Sequence, residues 1–462
     1  MRGTRRWAAG LLAMLLLPAC TSDPPARPDP PLPSTSDPPV VETSAPADPT
    51  TRPLVLAVNA RRPPIRVPEE VARWLVDGKV DDWEQLGQPA GPLRVTERTG
   101  RLRHLPMDTV AVVVADAMGP AVRAITVDDV DPLRDPDAYP LQVAGPAHAP
   151  VTTLTVVGDI MLGRAVTGRP VLRPMAGRLA AADLTVGNLE STMARLGPPT
   201  QDPVTDSFSA PPAARGDLRR AGFDVLSLAN NHLGDFGEES LVRTVELLRA
   251  GGFATFGAGR DLAAARRPVV VERHGIRFGF TGFNAIGETP VAGPGQPGAL
   301  SVSMPPRTGP LDEDELGRVL ADVRRLARRA DVVVVMPHWG EQYVHRPWPV
   351  QRQVARRLAG AGADLVVGGH PHVVQGAAQV GDALVVHSLG NFVFDMDFRT
   401  DTMEGLVLEA TFWGDRLVAA GFVPIRMDAG FAPQVVSHAE AHSILDPFWE
   451  FSDLAAARRP TR

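Results

Sequence analysis

Six short apolar runs in this chain of 462 residues each end in side chains that bind metals or carry protons. LTVVGDIM reaches Asp159, LTVGNLE reaches Asn188 and Glu190, and DVLSLANNH reaches Asn230, Asn231 and His232. DVVVVMPHWGEQ carries His338 and Glu341, ADLVVGGHPH carries His370 and His372, and ALVVHSLGNFVFD carries His387, Asn391 and Asp395. One isolated histidine is usually a satisfied structural group, but six clusters at one structural phase point to a metal or catalytic site. Imidazole nitrogens mixed with carboxylate and amide oxygens suit divalent zinc, manganese or iron, and no thiolate is on hand for a cysteine-based zinc site. A calcium site would use fewer histidines. Such an ion lowers the pKa of bound water and polarises a substrate oxygen, so hydrolysis is the natural reaction class.

Between several of these runs lie helical patterns, among them GEESLVRTVELLRAGGF, DEDELGRVLADVRRLARRAD and VQRQVARRLAGAGAD, with apolar residues three and four apart. Apolar strands joined by helices build a largely parallel sheet, whose loops at the carboxyl ends of the strands gather into one crevice. The six clusters are therefore expected to converge. Near the carboxyl end, LVLEATFWGD and RLVAAGFVPIRM alternate around a Gly-Asp turn and predict an antiparallel edge, with Glu404 and Asp395 as supports beside the crevice.

The rest of the chain is organised around this module. Residues 1–19 read as a signal peptide, with Arg2, Arg5 and Arg6 ahead of an apolar run too short to span a bilayer. LPAC resembles a bacterial lipobox and contains the only cysteine, Cys20, so a lipid anchor on the outer face of the cytoplasmic membrane is expected, with no internal disulfide. Residues 20–53 form a proline-rich tether, expected to be disordered. Residues 54–146 predict a small α/β module; VARWLVDGKVDDWEQLG and VRAITVDDVDPLRDPDAYPL resemble stretches of phosphate-type periplasmic solute-binding proteins, but the module is too short for two lobes, and no ligand binding is carried over. A hinge at GPAHAPV leads into the main module, residues 152–436, and residues 437–462 read as a tail. The net charge of −6, or −9 without residues 1–19, argues against a nucleic-acid partner.

The ordered motifs GD, NLE, NNH, HWG, GHPH and SLGNF, over about residues 152–410, resemble the CapA family of poly-γ-glutamate capsule synthesis, within the calcineurin-like metallophosphoesterase superfamily. The resemblance implies a four-layer α/β/β/α sandwich. It places Asp159, Glu190, Asn231, His338 and His370 as ligands of a first metal, with His372 joining Asp159 at a second. His232 becomes the proton donor, with Asp159 and Glu341 as further catalytic candidates, while Asn230, Asn391 and Arg346 are candidates to hold substrate. The superfamily's D-x-H motif has Met161 in place of its histidine, so one firm metal and one weaker site are expected. The implied function is metal-dependent hydrolysis of an anionic envelope polymer or a phosphorylated precursor, beside proteins of a capsule-synthesis complex. The alternative is a catalytically degenerate, polymer-binding scaffold.

Overall fold

The computed structural model describes residues 50–454. The expected signal peptide, Cys20 and most of the tether lie outside them, as do the last eight residues. The tether stops sooner than its composition suggests, because strand β1 (Thr51–Asn59) already begins at Thr51. The run LVLAVN buries Val55 to Asn59. Helix α1 (Glu69–Val76) packs Ala72 and Leu75 inward, and β2 (Arg94–Glu97), β3 (Thr109–Val114), β4 (Val122–Ala124) and β5 (Gln142–Ala144) complete a five-stranded sheet around β1.

The main module begins with β6 (Val151–Ile160), β7 (Leu184–Leu189), α2 (Ala214–Arg220), β8 (Val225–Ser227), α3 (Gly237–Ala250) and β9 (Ala254–Phe256). Strands β10 (Val269–Arg273) and β11 (Ile276–Asn284) start a second sheet. It continues with α4 (Glu313–Leu326), β12 (Val332–His338), α5 (Pro349–Gly360), β13 (Leu365–Val367), β14 (Val374–Val380) and β15 (Ala383–Leu389). The chain returns to the first sheet through β16 (Asn391–Val393), β17 (Glu404–Trp413), β18 (Arg416–Met427) and β19 (Pro433–Val435). The first sheet runs β9-β8-β7-β6-β17-β18-β19, with β16 also paired to β6; the second runs β10-β11-β12-β13-β15-β14. Strands β6 to β9 are parallel neighbours in the first sheet, and β11, β12, β13 and β15 in the second.

The inner faces of the two sheets share one apolar core: Leu154, Val156 and Leu184 from the first meet Phe278, Phe280 and Val334 from the second. Helices cover the outer faces, with Leu218, Leu241 and Leu248 over the first sheet and Leu316, Val323 and Leu358 over the second. This is the expected four-layer α/β/β/α sandwich. Helix α4 shows how the pattern works locally, since Asp312 caps its first turn by accepting from the backbone N–H groups of Asp314 and Glu315, and Arg324 and Arg325 close its last turn.

The two modules meet across the proline-rich hinge, where Trp413 of β17 packs with Val55, Val113 and Leu133 and donates its indole N–H to Leu133 O at 2.8 Å. The expected tail contains helix α6 (His438–Glu450), whose Ile444 and Phe448, four residues apart, enter the main core.

Asp364, at the start of β13, accepts the Val333 N–H at 2.8 Å, and burial pushes its carboxyl up to about 6. The folded state therefore binds this proton more tightly than the unfolded chain, whose aspartates titrate near about 3.9. The resulting stability is present below about pH 4 and lost as pH rises through about 6. Asp364→Asn retains an acceptor and removes the charge, so it should raise stability by on the order of 2 kcal/mol at about pH 8 and leave it unchanged at about pH 4. Thermal melts at the two pH values test this, and an equal effect at both would reject burial as the cause.

Candidate metal centre

Five of the six clusters lie at or just beyond the carboxyl end of a strand, while the sixth straddles β15 and β16, with His387 inside β15 and Asn391 opening β16. Asp159 is near the end of β6, Glu190 follows β7, Asn230 to His232 follow β8, His338 closes β12, and His370 and His372 follow β13. Asp159, Glu190 and His338 are buried, and each offers a ligand atom within 4.8 Å of the others. Three imidazole nitrogens face one oxygen, Glu190 Oε1: His338 Nε2 at 3.7 Å, His232 Nε2 at 3.9 Å and His372 Nε2 at 3.9 Å. These separations are too long for hydrogen bonds.

The backbone is shaped to permit this approach. A side chain on Gly369 would stand 2.5 Å from Asp159 Oδ1, so only glycine lets the β13 turn pass the carboxylate. His370 and His372 both adopt positive φ, 95° and 56°, a conformation that costs a non-glycine residue about 1–3 kcal/mol. The turn is held by the His370 N–H donating to Asp159 Oδ2 at 3.0 Å and the Tyr343 N–H donating to Pro371 O at 2.8 Å.

Burial dominates the electrostatics. It pushes the Asp159 carboxyl up to about 6 and the Glu190 carboxyl well above the usual range, with the charge of Asp159 adding to the second effect. It drives His338 and His370 well below the usual imidazole range and His372 down to about 4. The three imidazoles are neutral at pH 7 and keep lone pairs for a metal. Glu190 Oε1, both ring nitrogens of His370 and Nε2 of His372 are buried without a hydrogen-bond partner. One such atom costs about 1–3 kcal/mol, and a cluster mixing carboxylate and imidazole fits a divalent transition metal. Two ligands about 2.0–2.2 Å from a shared ion stand roughly 3–4 Å apart, as these do.

Residues 153–396, more than half of the chain, match the family model described as bacterial capsule synthesis protein PGA_cap. The chain belongs to this family. It is 30% identical over 296 residues to the capsule biosynthesis protein CapA of Bacillus anthracis, covering 62% of this chain and 70% of that one. It is 29% identical over 266 residues to the PGA biosynthesis protein CapA of Bacillus subtilis, covering 56% and 67%. Among solved structures, a phosphatase from Mycoplasma pneumoniae aligns over 60% of this chain and 94% of its own, at 11% identity and a TM-score of 0.39. The matched PGA_cap span contains the whole buried cluster and begins after the five-stranded sheet. No helix among the described residues is long and apolar enough to cross a membrane.

In this PGA_cap chain, several candidates play a different part from the one expected. Asn230 uses its amide on Asn188 Oδ1 and Leu189 O and accepts the His232 N–H, so it braces the loop and has no free edge for substrate. Asn391 is likewise occupied, with Oδ1 2.9 Å from His372 Nδ1 and Nδ2 donating to Thr402 O, which orients the His372 ring. Glu341 accepts the Trp348 indole N–H at 3.1 Å, and Arg346 lies over the Phe451 ring at 5.0 Å. Both miss the cluster because their loop is tied to the second sheet by His345, 2.9 Å from Val374 O. Glu404 pairs with Arg426, away from the crevice, whereas Asp395 lines it and holds Arg164. Met161 is buried in the outer apolar cluster, with its sulfur accepting the Gly163 N–H.

Asn188 and Asn231 brace the site, and Glu288, Asp235 and Phe208 join it without having been expected there. Asn188 donates to Asp159 Oδ1 at 2.9 Å and lies 3.3 Å from Glu190 Oε2, bracing both carboxylates. Asn231 is shared between His338 Nε2, 2.8 Å from its Oδ1, and Glu288, which accepts from its Nδ2 at 2.7 Å. Glu288 follows β11, whose run IRFGFTGFN has the same form as the other six and was the available signal. Asp235, inside ANNHLGDFG, lies 2.9 Å from His232 Nδ1, and Phe208 stacks on that imidazole at 3.9 Å. Above the cluster opens a cleft of about 530 Å³, lined by His232, Phe208, Glu288, Arg307, Gln342 and Tyr343 among others.

Proposed function

We propose that this PGA_cap protein is a metal-dependent hydrolase acting on an anionic polymer, or a phosphorylated precursor of one, in capsule or envelope synthesis. We further propose that a lipid on Cys20 holds it at the outer face of the cytoplasmic membrane, beside other proteins of polymer synthesis. The observation that carries the hydrolase reading is the unpartnered Glu190 Oε1 facing three imidazole nitrogens at 3.7–3.9 Å. The relatives named for capsule and PGA biosynthesis support the polymer context.

Asp159, Glu190 and His338 would hold one manganese, zinc or iron ion, with His370 and Asn231 at hand to complete its shell. A second ion would have few partners, because Met161 is turned into the core and the His372 nitrogen 3.8 Å from Asp159, Nδ1, already faces Asn391. When bound, the ion supplies Lewis acidity and an activated water near neutral pH. The chain's own groups do the rest. Asp235 accepts from His232 Nδ1 and fixes that ring with Nε2 toward Glu190, where it can give a proton to a leaving oxygen or nitrogen. Phe208 keeps one face of the imidazole dry.

The test is metal content by mass spectrometry together with hydrolysis of a chromogenic phosphodiester and of poly-γ-glutamate, wild type beside His370→Ala. Stoichiometric metal, its loss in the variant by about tenfold or more, and turnover of either substrate are expected. The cleaved bond then identifies the chemistry. Metal-free protein that binds polymer without turnover, even after manganese or zinc is added, would instead support the scaffold alternative.

A further inference from the structure

The cleft above the cluster has a neighbour. Across the segment 201–209 lies an open groove of about 720 Å³. The segment divides its side chains between the two cavities, with Asp206 and Phe208 lining the cleft and Thr205, Ser207 and Ser209 lining the groove. Arg164 lines both. Its guanidinium lies 4.3 Å over the Phe208 ring, is anchored on Asp395 at 3.0–3.1 Å through Nε, and reaches Thr205 O at 3.4 Å. This anchoring makes Arg164 a fixed post at the junction of the cavities.

The cavities differ in charge. Asp202, Asp206, Glu288 and Asp395 line the cleft against two guanidiniums, Arg164 and Arg307, which are paired with Asp395 and Glu288, whereas the groove is lined by Arg164 and Arg195 and no carboxylate. Arg195 has no ion-pair partner among the described residues and rests on the Phe236 ring at 4.7 Å. A guanidinium resting on an aromatic ring loses little further freedom on meeting a carboxylate, and its fork geometry suits that anion. With Arg164 paired to Asp395, Arg195 is the groove's unpaired positive charge on a chain of net charge −6, beside a cleft in which carboxylates outnumber guanidiniums.

We infer that the groove is a second subsite, joined to the cleft at Arg164, which holds an anionic segment of a chain-like substrate while the bond to be cut lies over the buried cluster. The inference rests on the hydrolase reading and narrows it to a polymer of several acidic units, since a small phosphoester would leave the groove empty. Binding energy from the remote segment positions the reacting bond in the acidic cleft. Arg195 is the specificity residue of the distal subsite.

The test uses the full chain and fluorescent γ-linked glutamate oligomers of about two and about ten units, with affinity read by anisotropy. The wild type should bind the long oligomer about tenfold more tightly than the short one, and added salt should reduce that ratio. Arg195→Ala should bring the ratio close to one, as should Ala194→Trp, which fills the groove, with melting temperatures unchanged as the control for folding. A ratio that survives both substitutions overturns the inference, as does equal binding of a neutral γ-linked glutamine oligomer. An Arg195-dependent ratio without hydrolysis of any substrate leaves the subsite standing and removes only the hydrolase reading. Hydrolysis with no dependence on chain length removes only the subsite.

Discussion

On the proposed hydrolase reading, Glu190→Gln should abolish metal binding and turnover, yet stabilise the metal-free form. The substitution preserves size and removes the one carboxylate that faces His338, His232 and His372 together. Loss of a charged ligand from a buried set should lower metal affinity by about 100-fold or more, beyond the 10–100-fold typical of the groups that merely orient ligands. The opposite sign for stability follows from the raised folded-state pKa of Glu190, caused first by burial and then by Asp159. Stability that this group contributes is present at low pH and lost as pH rises through its folded pKa, and glutamine removes the loss. Chelated protein carrying the substitution should therefore melt higher than chelated wild type at about pH 8, with a smaller difference at about pH 4. Retention of metal and turnover by the variant would exclude Glu190 as a ligand.

Gly369→Ala should empty the site with every ligand intact. The added carbon would lie 2.5 Å from Asp159 Oδ1 and 3.2 Å from His338 Nδ1, neither of which has room to retreat, because Asp159 is held by Asn188 and the His370 N–H while His338 closes β12. Small displacements of catalytic groups cost on the order of 100-fold in rate, and metal retention should fall with it. The circular dichroism spectrum should be unchanged, since the strain is confined to one turn. A variant with normal metal content and rate would mean that the β13 turn does not approach the carboxylate as closely as this geometry requires.

The runs ending at Asp159, Glu190, His232, His338 and His370 were legible because a strand covered on both faces must be a continuous apolar stretch, and its first polar residues mark the exit. Parallel connections then require those exits to share one end of the sheet, so convergence followed from pattern alone. The absence of a histidine two residues after Asp159 was equally legible, and Met161 is indeed committed to the core. Helix α6 was harder to read, since Ala441, Ile444 and Phe448 form a short buried face in a segment that ends in polar residues.

Orientation within the loops was not legible. Glu341 and Arg346 lie beside His338 in sequence, but positive φ at Tyr343 and the bond from His345 to the second sheet turn the loop so that Gln342 and Tyr343 line the cleft instead. Asn230 and Asn391 carry amides that suit a substrate, and only the tertiary structure shows both already occupied by the loops that position His232 and His372. The contact between the His370 N–H and Asp159 spans 211 residues of chain. The sequence by itself determined which residue types meet at the mouth of the sandwich, because hydrophobic burial is periodic and local in pattern. Tertiary structure alone decided which atoms face one another, because that depends on backbone turns and hydrogen bonds between segments far apart in the chain.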